Sequence, residues 1–380
     1  MSPPLNSPLI IISPDCPPRR GGVADHTVEL ARGLSAGRDV TVLTSVSGAP
    51  GNGFRVSPTV SNWQSPKAVL QAISQLPVGA GILWQYVPQM YGRGGANPGL
   101  TAVMRALRRA GRIQCLIAHE IAAPLSWWPN RLAYAVAHRY QWRQILKHVD
   151  VIGISTEAWL EEWGRRVPGY QPKFFLAPSP SNIPVVAVRP DHVQEWRRKE
   201  GLGNATHVVG YFGTLHLSKR FGWILAAWVK SQAGGRRVGL VTMGDRPTQR
   251  TPDDLKHLFK PLGYLSASEV SVALQAVDVL ALPFADGVAE RRTTFMAGLS
   301  HGCAIITTIG PDTGHSLRQG KFFRGIEAHQ DQEFTEQLLE LLEDRALGHK
   351  LGQAARQAYE HCYSWPKLVN TMNEQFARVG

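Results

Sequence analysis

The stretch Ala281-Leu-Pro-Phe-Ala-Asp-Gly-Val-Ala-Glu-Arg-Arg-Thr-Thr-Phe-Met-Ala-Gly-Leu-Ser-His-Gly-Cys-Ala-Ile-Ile-Thr-Thr308 decides the fold. The apolar run from Val277 to Phe284 predicts a buried parallel strand, ended by Pro283. Asp286-Gly287 opens a loop. Thr293 or Thr294 is a candidate cap for a short helix that runs to about His301. Gly302 ends that helix, and Cys303 to Thr307 reads as the next buried strand. The loop therefore lies at the carboxyl end of a strand and the amino end of a helix, where open α/β sheets bind ligands. Helix-start amides favour an anion there. Arg291 and Arg292 add planar positive charge able to grip two oxygens at once. Two arginines, a helix amino end and a loop of small residues point to a diphosphate. The competing reading is a surface basic pair beside a helix start.

Upstream, the second half of the chain repeats the alternation of strand and helix. Val208 to Phe212 predicts a strand, Gly213 to Arg220 a loop, and Phe221 to Lys230 a helix. Val238 to Met243 predicts a strand ended by Gly244-Asp245. Leu262 to Leu265 is a short strand-like piece, and Ser268 is the expected cap of a helix running to Ala276. Downstream, Glu333 to His361 has helical periodicity, and Trp365 to Ala377 forms a last helix after Ser364.

The first half is built the same way. Leu9 to Ile12 predicts a strand, Ser13 to Gly22 a loop ending in a glycine pair, and Val23 to Leu34 a helix. Val40 to Leu43 then completes a βαβ unit. Gly21 and Gly22 let a backbone approach a ligand closely, although a plain tight turn reads the same way. Ile82 to Tyr86 is a strand, Leu100 to Ala110 a helix, and Gln114 to Ala118 a strand ending in His119-Glu120. That pair faces the same crevice as Gly21-Gly22. His119 is suited to positioning or exchanging a proton; its competing role is a hydrogen bond within a loop. Val151 to Ser155 is a strand and Glu157 to Arg165 a helix. Pro168 to Pro190 reads as the inter-domain linker plus the entry into the second domain.

Between Ser126 and Val149, Trp127, Trp128, Tyr134, Tyr140 and Trp142 alternate with Arg131, His138, Arg139, Arg143, Lys147 and His148. An aromatic and basic helix of this kind suits an anionic membrane surface. The competing reading is a surface helix whose aromatics pack inward.

At 380 residues the chain calls for two domains. Its 43% apolar and 18% charged content is that of a globular protein. No apolar run reaches the roughly 18 residues that a membrane span needs. Met1 to Ile12 lacks the basic start and cleavage site of a secretory leader, so none is expected. Four cysteines, Cys16, Cys115, Cys303 and Cys362, form no C-x-x-C pair; Cys115 and Cys303 are expected core residues. The pattern is cytosolic, without a metal signature. The net charge of +12 comes from 41 basic and 29 acidic residues and reads as spread along the chain. It favours a phosphorylated ligand, an anionic membrane or a polyanion. No zinc finger or aromatic-interleaved RNA module supports nucleic acid. The chain also lacks G-x-G-x-x-G, the P-loop pattern and a G-x-S-x-G elbow.

Taken in order, several motifs resemble the bacterial glycosyltransferases of family 4. They are Gly21-Gly-Val-Ala-Asp-His-Thr-Val-Glu-Leu-Ala-Arg-Gly-Leu34, Trp84 to Tyr91, Ile117-Ala-His-Glu120 and Pro180 to Pro184. Gly210 to Lys219 follows, then Leu262 to Leu265 with Asp278 to Phe284. The double-arginine stretch with His301-Gly302, and Ser364-Trp365, close the series. The resemblance covers nearly the whole chain. It implies the α/β GT-B architecture, two Rossmann-like domains facing across a cleft. Residues 1–178 would form the acceptor-side domain and residues 179–362 the nucleotide-sugar donor domain. The C-terminal helix, 363–380, would cross back to the first domain.

The resemblance also implies a retaining, metal-independent hexosyltransferase with no cofactor beyond its nucleotide-sugar co-substrate, a UDP-sugar being favoured. The acceptor would be a saccharide or polyprenyl-linked sugar of cell-surface polysaccharide synthesis. Apart from the resemblance, the cysteine usage reads as cytoplasmic, the net charge and the Ser126–Val149 stretch leave peripheral contact at the inner face of an anionic membrane open, and no nucleic-acid partner is expected. His119, Lys219 and Arg291 would carry catalysis. Gly21, Gly22, Thr214, Lys219, Gly244, Tyr264, Leu265, Arg291, Arg292, Thr293 and Thr294 would hold the diphosphate and nucleotide. His119, Glu120, Asp286, Gly287 and Glu290 would meet the donor sugar.

Two features depart from the family. Its Glu-x7-Glu pair falls at Ala289 and Ala297, and the chain resembles instead a subgroup with Asp-Gly-Val-x-x-Arg-Arg there. Asp286 or Glu290 stands in for the sugar-binding glutamate. The family's arginine after the glycine of the Gly210 motif is Thr214, and Arg291 or Arg292 is the expected source of that charge. The alternative reading is an inactive GT-B scaffold that binds sugar nucleotides.

Overall fold

The computed structural model describes residues 7–19, 21–47, 53–216, 218–247 and 252–379. Residues 1–6, Arg20 and Leu217 lie outside the described residues. They belong to the leader reading and to the two loops that open on Ser13 and Gly213. The chain forms two compact units. One runs up to Pro178 and resumes at Trp365; the other is Ser179–Ser364.

The first unit is a parallel sheet with helices on both faces. Its elements are β1 (Leu9–Ile12), α1 (Gly22–Ser35), β2 (Val40–Leu43), β3 (Arg55–Ser57), α2 (Pro66–Ser74) and β4 (Gly81–Tyr86). They continue with α3 (Pro98–Arg109), β5 (Gln114–Ala118), α4 (Pro129–Ile145), β6 (Val151–Ile154), α5 (Glu157–Arg166) and β7 (Phe174–Leu176). The strand order is β3-β2-β1-β4-β5-β6-β7, with Leu9 in register with both Val40 and Gly81.

The period-two geometry of a strand sends neighbouring side chains to opposite faces. Ile10, Ile12, Ile82, Trp84, Leu116 and Ile152 fill one core. Leu9, Ile11, Val40, Val42, Leu83 and Ile117 fill the other. Burial on both faces is why these strands read as unbroken apolar runs.

In the second unit the elements are α6 (Pro190–Lys199), β8 (His207–Gly213), α7 (Phe221–Ser231), β9 (Val238–Gly244), β10 (Phe259–Gly263) and α8 (Ala267–Ala276). Then come β11 (Val279–Leu282), α9 (Thr293–Ser300), β12 (Ile305–Ile309), α10 (His315–Gln319), β13 (Arg324–Glu327), α11 (Asp331–Glu343) and α12 (Arg345–Ala358). The sheet is parallel, ordered β10-β9-β8-β11-β12-β13.

The last helix, α13 (Trp365–Val379), belongs to the first unit. Leu368, Met372 and Phe376 recur every four residues and sink into the core beside α1. Burying each contributes about 1.5–3 kcal/mol.

Several local expectations need correction. Pro168–Pro190 is not all linker, because β7 pairs with β6 as the edge of the first sheet. Neither Thr293 nor Thr294 caps α9; Arg292 holds the cap position and both threonines lie in the first turn. Ser266, not Ser268, caps α8, through a reciprocal capping box with Glu269. The strand after Gly302 starts at Ile305, and β11 is shorter than the run Val277–Phe284. Asp344 divides the long C-terminal periodicity into α11 and α12, its carboxylate capping the second helix.

Charge is not spread evenly either. Between residues 40 and 149 there are 11 Lys and Arg and one acid, Glu120. The first unit as a whole carries 20 basic and 10 acidic residues; the second carries 21 and 19.

Candidate functional site

In each sheet the chain order reverses beside one strand, and that point opens a crevice at the strands' carboxyl ends. In the second unit the crevice lies between β8 and β11. The loops that follow these two strands are joined by their backbones. Arg220 N donates to Pro283 O at 3.0 Å, and Ala285 N donates to Ser218 O at 2.8 Å. An isolated bridge pairs Lys219 with Phe284. Lys219 is thereby set with its Nζ 3.9 Å from the centroid of the Phe284 ring, and the Arg292 guanidinium carbon is 4.8 Å from the same centroid.

Two loop cations thus share one aromatic ring. Arg292 lies 3.5 Å from the half-exposed Asp286 carboxylate. Arg291 takes a shorter ion pair, 2.7 Å to Asp312. Burial, then Arg292 and Arg291, pull the Lys219 ammonium down to about 7. Burial and Arg291 pull Arg292 down to about 10. Positive charge is therefore crowded and under-compensated, and an anion would relieve it.

The neighbouring strand ends complete the rim. Gly213 and Gly244 stand opposite each other in the β8–β9 pairing. Gly244 has φ +114, and a Cβ there would meet Gly213 O at 2.4 Å, so only glycine fits this close approach. The Asp245 carboxylate accepts from Leu215 N at 2.9 Å and from the Tyr264 hydroxyl at 2.5 Å. Asp245 ties together the ends of β8, β9 and β10. Tyr264 as a whole is 72% exposed.

Thr214 is exposed, Leu265 half-buried, and Thr293 and Thr294 half-buried in the first turn of α9. A Cβ on Gly213 would come within 3.2 Å of Thr294 Cγ2, which brings the α9 start against the end of β8. Gly287 has φ +88 and packs on Gly310. Glu290 is fully buried, and its carbonyl accepts from Ser179 N at 3.0 Å. Ala289 and Ala297 are also fully buried.

The first unit contributes a second cluster. Gly21 and Gly22 are exposed at the start of α1. One turn on, His26 is buried with its ring edge-on to His119, at a centroid separation of 4.6 Å. His26 also contacts Trp365 of α13 at 5.1 Å. His119 Nε2 lies 2.6 Å from Gln85 Oε1, a carbonyl oxygen, so it donates the hydrogen bond. This leaves Nδ1 as the acceptor. Burial pulls His119 down to about 4. Burial, then His119, pull His26 well below the ordinary imidazole range, with the Gln85 amide opposing. Among the described residues, neither ring nitrogen of His26 has a partner of hydrogen-bonding geometry. Glu120 is exposed.

Of the expected residues, the structure brings Lys219, Arg292 and Asp286 together in the second unit, and sets His119 against Gln85 and His26 in the first. Within the second, Arg291 is drawn toward Asp312 while Arg292 joins Lys219. Sequence reasoning missed His26, Gln85, Phe284, Asp245 and Asp312. His26 lay in plain view five residues after Gly21, but the helical stripe was read through its apolar neighbours. Asp245 and Asp312 carried no local signal, since their partners are 19 to 30 residues away. Among the described residues, no group of three or more His, Cys, Asp or Glu side chains is placed to hold a metal ion.

The chain has the two-domain α/β fold of the GT-B class, as comparison with solved structures shows. Anabaena HepE, in a crystal structure with UDP and glucose, superposes with a TM-score of 0.73 at 14% identity, covering 98% of this chain and 100% of that one. Sucrose-phosphate synthase from Thermosynechococcus elongatus gives 0.72 at 15% identity, covering 98% and 99%. WaaG, a glycosyltransferase involved in lipopolysaccharide biosynthesis, gives 0.65 at 14% identity, covering 96% and 98%. Residues 206–344, from the start of β8 to the end of α11, match the family described as Glycosyl transferases group 1. No curated protein matches the chain in sequence.

Proposed function

We propose that this protein is a retaining glycosyltransferase that takes a sugar from a nucleoside diphosphate donor, preferably a UDP-sugar. The observation that carries the reading is the crowded pair Lys219 and Arg292 over Phe284, at the switch point of the second sheet. The family match over that same unit, and fold neighbours crystallised with UDP, supply the reaction class and the favoured base.

In this mechanism the donor diphosphate lies against Lys219, Arg292 and the amides that start α9. Tyr264, steadied by Asp245, stacks on the base. As the glycosidic bond breaks, electrons pass to the leaving diphosphate. The fixed cations and helix amides stabilise that growing charge. The leaving phosphate oxygen takes the proton of the acceptor hydroxyl, which attacks the same face of the sugar. No protein nucleophile or metal takes part. Asp286, half-exposed beside Arg292, accepts from a sugar hydroxyl, while the buried Glu290 supports the loop. His119 is neutral at pH 7 and keeps Nδ1 as an acceptor in the first unit. Residues 1–178 bind the acceptor, a saccharide or lipid-linked saccharide of cell-surface polysaccharide synthesis.

A second reading rests on Ala289 and Ala297, which leave this chain without the family's carboxylate pair. On that reading the protein binds sugar nucleotides without turning them over. Thermal shift with UDP, GDP and ADP, followed by nucleoside diphosphate release from the matching sugar donors, separates the two. Binding with donor turnover supports the enzyme. Binding with no release from any donor, with acceptors present, establishes the scaffold. No binding of any nucleotide overturns both.

A further inference from the structure

The segment from Leu125 to Tyr140 presents large apolar side chains to solvent. Trp127 is fully exposed, Trp128 is 71% exposed, and Leu125, Leu132, Val136 and Tyr140 are also exposed. This overturns the reading in which the aromatics of this stretch pack inward, except at Trp142, which is fully buried.

The inner face of α4 is held by buried hydrogen bonds. His138 accepts from Ala123 N through Nδ1 and donates from Nε2 to Gly94 O. Gln141 accepts from Asn97 N at 2.7 Å. These buried bonds set the helix rotation. They leave Leu132, Val136, Tyr140, Arg143 and Lys147 in one exposed row, spaced by three or four residues. The row is apolar toward the amino end and basic toward the carboxyl end.

Charge selects the occupant. No acid occurs from residue 121 to 149. The first acid beyond α4, Asp150, is paired with Arg108. Ten of the twelve net positive charges belong to this unit. Exposed tryptophan beside exposed Arg and Lys is the composition of a segment that seats in a lipid interface, rings at headgroup depth and cations on the phosphates.

We propose that Leu125–Lys147 is a docking surface for an anionic lipid bilayer, with Trp127 and Trp128 entering the interface and Arg131, Arg143 and Lys147 pairing with lipid phosphates. A surface of this kind binds peripherally; among the described residues no helix is long and apolar enough to cross a membrane. The inference does not depend on the proposed transferase activity.

The test is co-sedimentation of the full chain with phosphatidylcholine vesicles, with and without an equal share of phosphatidylglycerol. Binding is expected only with the anionic vesicles and is expected to weaken at high salt. The double variant Trp127→Ser/Trp128→Ser is expected to lower the partition coefficient about tenfold or more. Arg131→Glu/Arg143→Glu is expected to abolish binding. Both pairs are exposed, so the thermal midpoint should stay unchanged, which distinguishes lost docking from lost folding. The proposal is overturned by failure of the parent chain to sediment with anionic vesicles. It is equally overturned by undiminished binding of the folded tryptophan variant, or by tighter binding to an oligouridylate than to the vesicles.

Discussion

Lys219 Nζ sits 3.9 Å above the Phe284 ring centroid, in a backbone bridge that also fixes Lys219 opposite Phe284. A ring face attracts a cation without neutralising it. Lys219 therefore stays available to an anion.

Replacing Lys219 with Met should lower turnover of the sugar donor about a hundredfold, equivalent to about 3 kcal/mol of barrier. Steady-state release of nucleoside diphosphate measures it. Turnover within a few-fold of the parent would remove Lys219 from the mechanism.

UDP binding at pH 8 should take up a large fraction of one proton. The free ammonium is held near 7 by burial and by Arg292 and Arg291, so it is mostly neutral at pH 8. A bound diphosphate restores its charge. Calorimetry in two buffers of different ionisation enthalpy reads the uptake, which should vanish in Lys219→Met.

Acid should weaken the first unit. His119 is held near 4 and His26 well below its ordinary value, so between about pH 6.5 and 4 the unfolded chain binds more protons than the folded one. Stability therefore falls as pH falls through that window and is fully present above it. In His119→Gln the urea midpoint should decline less over the same range. Equal declines in the two proteins would refute the assignment.

Asp312→Asn should make the phosphate site more positive. It removes one ion-pair partner of Arg291, at a cost of about 2 kcal/mol of stability. The loss of this negative charge beside the site should tighten UDP binding several-fold, seen by titration calorimetry.

Gly244→Ala should destabilise the second unit by about 2 kcal/mol or more, because φ +114 and the contact with Gly213 O both exclude a Cβ. Chemical denaturation monitored by the tryptophans reads the loss.

Much of this protein was written locally. Strands buried on both faces need continuous apolar runs, so β1, β4, β5, β8, β9 and β11 were each evident as short segments. Their alternation with helices specified two parallel sheets, and Gly21-Gly22, His119 and the Arg291-Arg292 loop all fell at carboxyl ends of strands or amino ends of helices.

What the sequence left open was set by contacts between distant segments. Arg291 and Arg292 are neighbours and look alike, yet one faces Asp312 and the other faces Phe284 with Lys219. Asp286 and Glu290 were equal candidates until the fold left one half-exposed and buried the other. The aromatic helix α4 gave no sign of which rings point inward, because that is decided by His138 and Gln141 bonding to the loop at 94–97. A side chain's type is encoded at its own position, but its charge state and exposure depend on what the rest of the chain brings beside it.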